Sequence, residues 1–214
     1  MLKYAMQTAK MDELMGLLSR VLNLRITFFD LQESELSGFN IKGLSPFCRS
    51  SRQKAASFRA ACALCDREHL LTAKRSGGVH IYQCHAGLLE GIVPLYDRHK
   101  IYLGSIVFGQ LRDEEMEYPA ADMKLLSRNR KSSKKEMHDI GALLKCSSEY
   151  IIENELVQYR SKPWAERLDD YIVSHLSGRV TLSGMSKEIG RSTSFLSHNF
   201  PLEFGMPLKE YVLK

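Results

Sequence analysis

Residues 47–88 have the sequence FCRSSRQKAASFRAACALCDREHLLTAKRSGGVHIYQCHAGL and contain four of the five cysteines of this 214-residue chain. Residues 51–75 are rich in Ala, Arg and Leu and contain no Gly or Pro, which predicts one long helix that ends at Gly77-Gly78. The run Val79–Cys84 that follows is typical of a strand. The stretch therefore joins a helix to a sheet and concentrates thiols where they meet.

The spacing of these cysteines, Cys-x13-Cys-x2-Cys-x18-Cys, is close to that of a structural zinc site. Two cysteines three positions apart lie on one helical face, and soft thiolates are preferred ligands of zinc. His85, Asp66 or His69 are alternative ligands. The predicted metal ligands are Cys48, Cys62, Cys65 and Cys84. Two other interpretations stay open: small buried hydrophobic side chains, or a redox sensor that forms a disulfide on oxidation.

The rest of the first 160 residues predicts an α+β domain. The runs Leu88–Tyr96 and Ile101–Leu111 are strands joined by a short polar link, which requires antiparallel pairing, and Ile26–Phe29 is a further strand. Met11–Leu24 is an amphipathic helix whose expected buried stripe is Leu14, Leu17, Leu18, Val21 and Leu22.

A second long helix is predicted for Met137–Tyr159, on which Cys146 is expected to pack. The sequence Ser161-Lys-Pro163 ends this helix, and we place a domain boundary there. The predicted domains are residues 1–160 and 163–214.

Composition limits the class of protein. With 44% hydrophobic residues the chain can bury an ordinary globular core. It has no signal-peptide pattern and no apolar run near the roughly 20 residues that span a bilayer, so we expect a cytoplasmic protein without a membrane partner. The net charge of +5 is compatible with nucleic-acid binding but does not establish it.

After Pro163 the pattern changes to short helices, at Trp164–Leu176, at Leu182–Ile189 and from Ser192 to Phe200. Two helices separated by a Gly-containing turn describe either a helix-turn-helix or an ordinary pair of packed helices. Leu196 and Phe200 are expected to face the core. The predicted DNA-contacting residues are Arg191, Ser192, Thr193, Ser194, Ser197 and His198.

Residues 179–211 resemble the first helix-turn-helix of AraC/XylS-type transcription regulators. The likeness rests on the Gly before Ser192, the pair Phe195-Leu196, and the later Gly205 and Tyr211. Regulators of that type have a second such unit, and this sequence ends inside what resembles the linker between the two. The resemblance therefore implies weak DNA binding unless the chain forms a homodimer, which we expect, or is truncated.

Residues 10–155 are similar to the PocR-type sensory domain, through Phe47-Cys48, the run Cys84-His85-Ala-Gly-Leu88, and the glycines of Leu103-Gly104 and Gly109-Gln110. The resemblance implies a PAS-like antiparallel sheet with flanking helices that binds a small molecule such as a short alcohol or diol. His85 and Gln110 are the expected ligand contacts.

The two resemblances together predict a ligand-responsive transcription regulator without enzymatic activity. The alternative is a metal- or redox-sensing protein that acts through partners or mixed dimers, with DNA binding lost by truncation. A thiol enzyme is the third possibility, although no GxSxG, P-loop or HExxH motif is present. If Cys84 and His85 are neighbours on a strand, they point to opposite faces and do not form a nucleophile and base.

Overall fold

The computed structural model describes residues 3–36, 42–98, 100–160, 163–175, 180–204 and 206–212. The chain divides into two compact units, one formed by residues 6–158 and the other by residues 1–5 and 159–214. Leu176, predicted to end a helix, lies outside the described residues.

The first unit contains an open, largely antiparallel sheet, which confirms the predicted α+β class and PAS-like arrangement. Its strands are β2 (Arg25–Phe29), β3 (Glu35–Leu36), β4 (His80–Gln83), β5 (Leu88–Tyr96), β6 (Tyr102–Asp113) and β7 (Lys131–Ser132). The order is β3-β2-β6-β5-β4, and β7 pairs with β6 in parallel. Strands β1 (Lys3–Met6) and β8 (Val157–Arg160) form a separate two-stranded sheet.

Helices cover both faces of the central hairpin β5–β6, whose residues are almost all buried. The helices of this region are α1 (Thr8–Leu22), α2 (Pro46–Lys54), α3 (Ala56–Ser76), α4 (Ala120–Leu126) and α5 (Lys134–Glu153). Ile92 and Val107 pack in one cluster with Leu70 and Ala73 of α3. Phe108 points to the opposite face, where it approaches Gly141 of α5. This double coverage explains why β5 and β6 are nearly continuous apolar runs.

The single helix predicted for residues 51–75 is wrong, because Ala55 is extended (φ −137°, ψ 123°) and separates α2 from α3. Arg59 Nη1 donates to the carbonyl of Arg52 (2.7 Å), which satisfies one of the free carbonyls at the end of α2. Phe47 and Phe58 meet edge to face at 6.1 Å across the break. Tertiary contacts therefore overcome the helical propensity of Ala55. The predicted end is confirmed, since Gly77 is the left-handed C-cap of α3.

The buried face predicted for α1 is also wrong. Met11 and Met15 are fully buried, whereas Leu17 and Val21 are 51% and 73% exposed. Ser19 completes the buried row, because its hydroxyl donates to the carbonyl of Leu24 (2.7 Å). The core-facing side of α1 therefore includes a polar residue whose hydrogen bond is formed. For this reason the pattern of hydrophobic residues pointed to the neighbouring side of the helix.

Two predictions about the second long helix fail. Helix α5 ends at Glu153, and Val157–Arg160 is a strand, because Glu155 adopts a left-handed conformation (φ 51°) that helices do not continue through. Cys146 is exposed and does not pack in the core.

The second unit contains four described helices, α6 (Pro163–Ser174), α7 (Leu182–Ile189), α8 (Thr193–Phe204) and α9 (Leu208–Val212). Their buried core consists of Trp164, Ala165, Leu168, Ile172, Met185, Ile189, Leu196 and Phe200. None of the helices in the described part of the chain is long and apolar enough to cross a membrane.

Candidate functional site

The four clustered cysteines line one small cavity, called here the thiol cavity. It lies where α2, α3 and the turn after β4 meet the sheet. Its lining residues are Cys48, Arg52, Phe58, Cys62, Cys65, Asp66, Cys84, His85, Ala86, Glu90 and Gln110. Its volume is about 10 Å³, enough for about one water molecule. All four predicted metal ligands and both predicted ligand contacts, His85 and Gln110, therefore border the same space.

Three structural elements place the sulfur atoms. Cys48 lies in the first turn of α2, where its backbone N–H is capped by the hydroxyl of Ser45 (3.2 Å). Cys62 and Cys65 are both buried on α3. Cys84 opens a tight turn in which its N–H donates to the carbonyl of Leu88 (2.8 Å). All five cysteines of the chain are free thiols.

Polar groups near the four sulfur atoms oppose the effect of burial on the thiol pKa values. Ser45 lowers the pKa of Cys48, and the positive charge of Arg52 lowers that of Cys62. Backbone groups of His85 lower the pKa of Cys65, and those of Ala86 and Leu88 lower that of Cys84.

Burial outweighs these effects at all four cysteines. Desolvation raises the pKa of Cys48 to about 11, even though its hydrogen bond with Ser45 acts in the opposite direction. Burial also raises the pKa of Cys62, of Cys65 and of Cys84. Without a cation in the cavity the four thiols are therefore protonated at neutral pH.

His85 lies beside the thiol of Cys62, and the expectation that strand neighbours point to opposite faces does not apply to Cys84 and His85. Strand β4 ends at Gln83, so Cys84 and His85 belong to the turn and not to a strand. His85 Nε2 lies 3.1 Å from Cys62 Sγ, and the ring packs edge to face on Phe58 at 4.6 Å. Burial lowers the pKa of His85 and raises that of Cys62, which favours a neutral pair. An activated catalytic cysteine would instead be a thiolate beside a charged group.

Gln110 occupies a bulge in β6, where Glu90 pairs with Gly109 and Leu89 with Leu111. Gln110 adopts a left-handed backbone conformation (φ 61°) and is 6% exposed. Its Oε1 accepts the backbone N–H of Ser45 (2.7 Å). Gln110 therefore ties the N-terminus of α2, and with it Cys48, to the sheet.

Glu90 and Arg52 were missed by the sequence analysis. Glu90 is buried in β5 and accepts a hydrogen bond from Tyr82 Oη (2.9 Å). Burial raises the pKa of Glu90 to about 7, and nearby Asp66 adds to the rise. Arg52 lies 3.8 Å from Asp66 in an ion pair. One signal in the sequence could have found Glu90: it is the only acidic residue in the apolar run of β5. Burying a carboxyl group costs free energy, so a carboxyl group at such a position indicates a special role.

A larger groove, called here the charged groove, adjoins the thiol cavity and shares Arg52 and Asp66 with it. Its volume is about 440 Å³, within the range of small-molecule sites. The lining residues are Phe29, Gln32, Glu33, Glu35, Arg52, Arg59, Ala63, Asp66, Arg67 and Leu70. Arg59 and Arg67 are eight residues apart on α3, a helical spacing that indicates a shared face.

His69, an alternative metal ligand in the sequence analysis, does not line the thiol cavity. Its Nδ1 lies 2.9 Å from His80 Nε2, and its ring stacks on Tyr82 with centroids 3.8 Å apart. Burial lowers the pKa of both imidazoles, and for His69 the neighbouring His80 contributes.

The pair His69 and His80 should make the folded chain less stable in acid. Because the pKa of each imidazole is lower in the folded chain, the unfolded chain binds more protons below about pH 6.5, so stability falls as pH drops through that range. The raised pKa of Glu90 acts in the opposite direction over this range, so the contribution of the histidines is measured by substitution. His80→Gln should raise the urea midpoint at about pH 5.5 relative to that at about pH 7.5, whereas His138→Gln, at an exposed position of α5, should not. An equal effect of both substitutions would contradict the assignment.

Among the described residues, no group of three or more His, Cys, Asp or Glu side chains is arranged to hold a metal ion as it stands. The zinc site predicted at Cys48, Cys62, Cys65 and Cys84 therefore stays a prediction.

The residues predicted to contact DNA form one exposed surface in the second unit. They are Arg191, Ser192, Thr193, Ser194, Ser197 and His198, all of them exposed. Leu196 and Phe200 are each 1% exposed and face the core as predicted. The hydroxyl of Ser192 accepts the backbone N–H of Phe195 (3.1 Å), which caps α8.

Comparison with known proteins identifies the first unit. The family described as "Sensory domain found in PocR" matches residues 5–155. No curated protein matches the chain. Among solved structures, the "Crystal structure of the phage VqmA-DPO complex" matches with 15% identity and a TM-score of 0.25, covering 96% of this chain and 87% of that one. Because the family match extends over more than half of the sequence, this chain belongs to the PocR sensory domain family.

Proposed function

We propose that the chain is a ligand-responsive transcription regulator without enzymatic activity, in which the PocR sensory domain controls DNA binding by the helices that follow it. The observation that carries this proposal is the exposed surface around the N-terminus of α8, which follows a sensory domain in the same chain. Helices α7 and α8 are joined by a short turn in which Gly190 is left-handed (φ 66°). Two helices joined in this way are typical of a helix-turn-helix, whose second helix enters the major groove.

The side chains on this surface suit phosphate contacts better than base recognition. Arg191 supplies a positive charge just before α8, and Ser192, Thr193 and Ser194 supply hydroxyl donors. Ser197 and His198 are the base-contacting candidates, but neither makes the bidentate contact that Arg or Gln makes. We therefore expect modest sequence preference from one chain and stronger binding from a homodimer on paired half-sites.

The charged groove is the proposed effector site. A groove of about 440 Å³ accommodates a short alcohol or diol, whereas the thiol cavity of about 10 Å³ does not. Arg59, Arg67 and Glu33 offer donors and acceptors to hydroxyl groups, and Phe29 and Leu70 offer apolar contacts. Because Arg52 borders both spaces, an effector in the groove would also act on α2. His85 and Gln110 would then respond to the effector without touching it.

Selection of DNA duplexes from a random library by the full-length protein tests the DNA-binding part. A selected duplex should bind with strong salt dependence, and Arg191→Ala should lower its affinity about tenfold. Arg128→Ala, at an exposed arginine of the first unit, is the matched control and should change affinity little. Failure to enrich any sequence, or an equal loss in both variants, would favour a sensor that acts through partners or mixed dimers.

Thermal unfolding with a panel of short alcohols and diols tests the sensing part. A compound that binds the folded chain should raise the transition temperature in proportion to the logarithm of its concentration. Arg59→Ala should abolish that rise. Arg75→Ala, also exposed on α3 but outside the groove, should preserve it. If both variants keep the rise, the effector binds elsewhere.

A further inference from the structure

The charged groove holds more positive than negative charge. The acidic residues that line it each pair with an arginine: Glu35 with Arg25, Asp66 with Arg52, and Glu33 with Arg67. Arg59 also lines the groove, and it takes part in no ion pair among the described residues. Its Nη1 donates to the carbonyl of Arg52 (2.7 Å), which is a neutral partner. The guanidinium of Arg59 is therefore the excess positive charge of the groove.

The ion pairs of Arg52 and Arg67 are loose. Arg52 Nη2 lies 3.8 Å from Asp66 Oδ2, and Arg67 Nε lies 3.9 Å from Glu33 Oε2. A hydrogen bond between charged groups is about 2.7–2.9 Å long. The two carboxylates therefore balance charge without occupying these N–H groups, which stay available to an acceptor that a ligand brings.

Arg52 shows the shortage of acceptors most directly. Its Nε is buried and has no hydrogen-bond partner among the described residues. A buried donor without a partner costs free energy, and folded proteins contain few such groups. Because a guanidinium spreads its positive charge over three nitrogen atoms, an anion beside Arg52 would offset part of this cost.

The groove also offers a fixed apolar surface. Phe29 and Leu70 line it, and both pack in the core cluster that contains Ile92 and Val107 of the sheet. Gln32, an exposed lining residue, adds an amide that both donates and accepts hydrogen bonds. A ligand that matches these surfaces has a short carbon chain, hydroxyl groups and a negatively charged end.

A carboxylate fits this charge pattern better than a phosphate ester or a neutral end group. A planar guanidinium donates two parallel N–H groups to one carboxylate. A phosphate ester carries about −1.5 to −2 charges at neutral pH, more than the single excess charge of Arg59, and it would be repelled by Glu33 and Asp66. A neutral hydroxyl would leave that excess charge unbalanced.

We propose that the effector of the charged groove is a small hydroxy acid whose carboxylate binds Arg59 and Arg52 and whose carbon chain contacts Phe29 and Leu70. This inference rests on the proposed function and narrows its effector from short alcohols and diols to those that carry a carboxylate. Arg52 lies in the last turn of α2. The carboxylate is therefore also the part of the effector that acts on α2.

Isothermal titration calorimetry of the full-length protein with matched pairs of probes tests the charge. The acids are lactate, glycerate and gluconate, and their neutral counterparts are propane-1,2-diol, glycerol and glucitol, in which a hydroxymethyl group replaces the carboxylate. We expect at least one acid to bind about tenfold or more tightly than its counterpart. The affinity for that acid should fall as KCl rises from about 50 mM to about 500 mM, whereas the affinity for an alcohol should not. If no acid binds, or if each alcohol binds as tightly as its acid, the proposal is wrong.

Substitution of Arg59 tests the position of the carboxylate. Arg59→Ala should weaken binding of the acid about tenfold or more, and Arg59→Lys should fall between Arg59→Ala and the wild type, because it keeps the charge and loses the planar pair of donors. Arg75→Ala, exposed on α3 outside the groove, is the matched control and should bind the acid as the wild type does. Equal affinity of Arg59→Ala and the wild type would overturn the proposal.

The selected DNA duplex separates this inference from the proposed function. If the acid binds through Arg59 but leaves the affinity for the duplex unchanged, the groove is a hydroxy-acid site and the proposed effector control of DNA binding fails. If the acids do not bind, whereas a neutral alcohol binds and changes the affinity for the duplex, the proposed function stands and the hydroxy-acid proposal is overturned.

Discussion

Gly109→Ala is expected to lower the free energy of unfolding of the first unit by about 4 kcal/mol. Gly109 has a φ of +139°, a conformation that residues with a side chain rarely adopt. A Cβ atom there would lie 2.6 Å from the carbonyl oxygen of Leu89 and 2.7 Å from Cα of Glu90. Both atoms belong to the backbone of β5 in the centre of the sheet, so neither can move without breaking the β5–β6 pairing.

Gly78→Ala is the matched control for this substitution. A Cβ atom at Gly78 meets nothing within 4 Å, so the change should alter stability by less than about 1 kcal/mol. Urea unfolding followed by far-UV circular dichroism measures both variants. If Gly109→Ala were as stable as Gly78→Ala, the bulge at Gln110 would have to be absent or easily rearranged.

The bulge also connects the glycine to the candidate site. Gly109 precedes Gln110, whose side chain fixes the N-terminus of α2 through Ser45. Gly104 has a similar conformation (φ +136°), and its Cβ would lie 2.5 Å from the carbonyl oxygen of Phe29. The two glycines of the motif Leu103-Gly104 to Gly109-Gln110 are therefore required by close approach to the backbones on either side of β6.

The sheet was predictable because its strands are long apolar runs bounded by polar turns. The bounds of β5 agree with the predicted Leu88–Tyr96, and β6 extends only slightly beyond the predicted run. The formation of such strands follows from the local pattern of apolar residues, which the sequence shows directly. The break at Ala55 was not predictable, because it depends on contacts such as Phe47 with Phe58, which exist only in the folded chain.

The cysteines of the candidate site were predictable, whereas Arg52, Glu90 and the geometry of the site were not. Cysteine spacing alone indicated that Cys48, Cys62, Cys65 and Cys84 lie together, and they line one cavity. The orientation of His85 was not predictable, because β4 ends at Gln83 and the side chains of the turn that follows do not alternate between the two faces of the sheet. The position of Arg52 in the cavity lining was missed because the sequence analysis predicted one helix through Ala55, where the chain has a break between α2 and α3.

The second large effect is expected in the helical unit, where Phe200→Ala should cost about 3–5 kcal/mol. Phe200 is 1% exposed, and its ring stacks on Phe204 at 4.1 Å and meets Tyr211 edge to face at 5.4 Å. Truncation leaves a void among aromatic side chains that cannot collapse around it without losing these contacts. Because Phe200 fixes α8 in its unit, the same change should remove the proposed DNA binding.

The fluorescence of Trp164 reports the loss of stability in the second unit alone. Trp164 is the only tryptophan of the chain, and it packs edge to face on Phe195 at 5.2 Å within the same core as Phe200. The urea midpoint of its fluorescence should fall sharply in Phe200→Ala. Ser197→Ala, at an exposed position of the same helix, should leave the midpoint unchanged while weakening DNA binding if Ser197 contacts a base. Loss of DNA binding in Phe200→Ala with an unchanged Trp164 transition would mean that Phe200 contacts DNA and not the core.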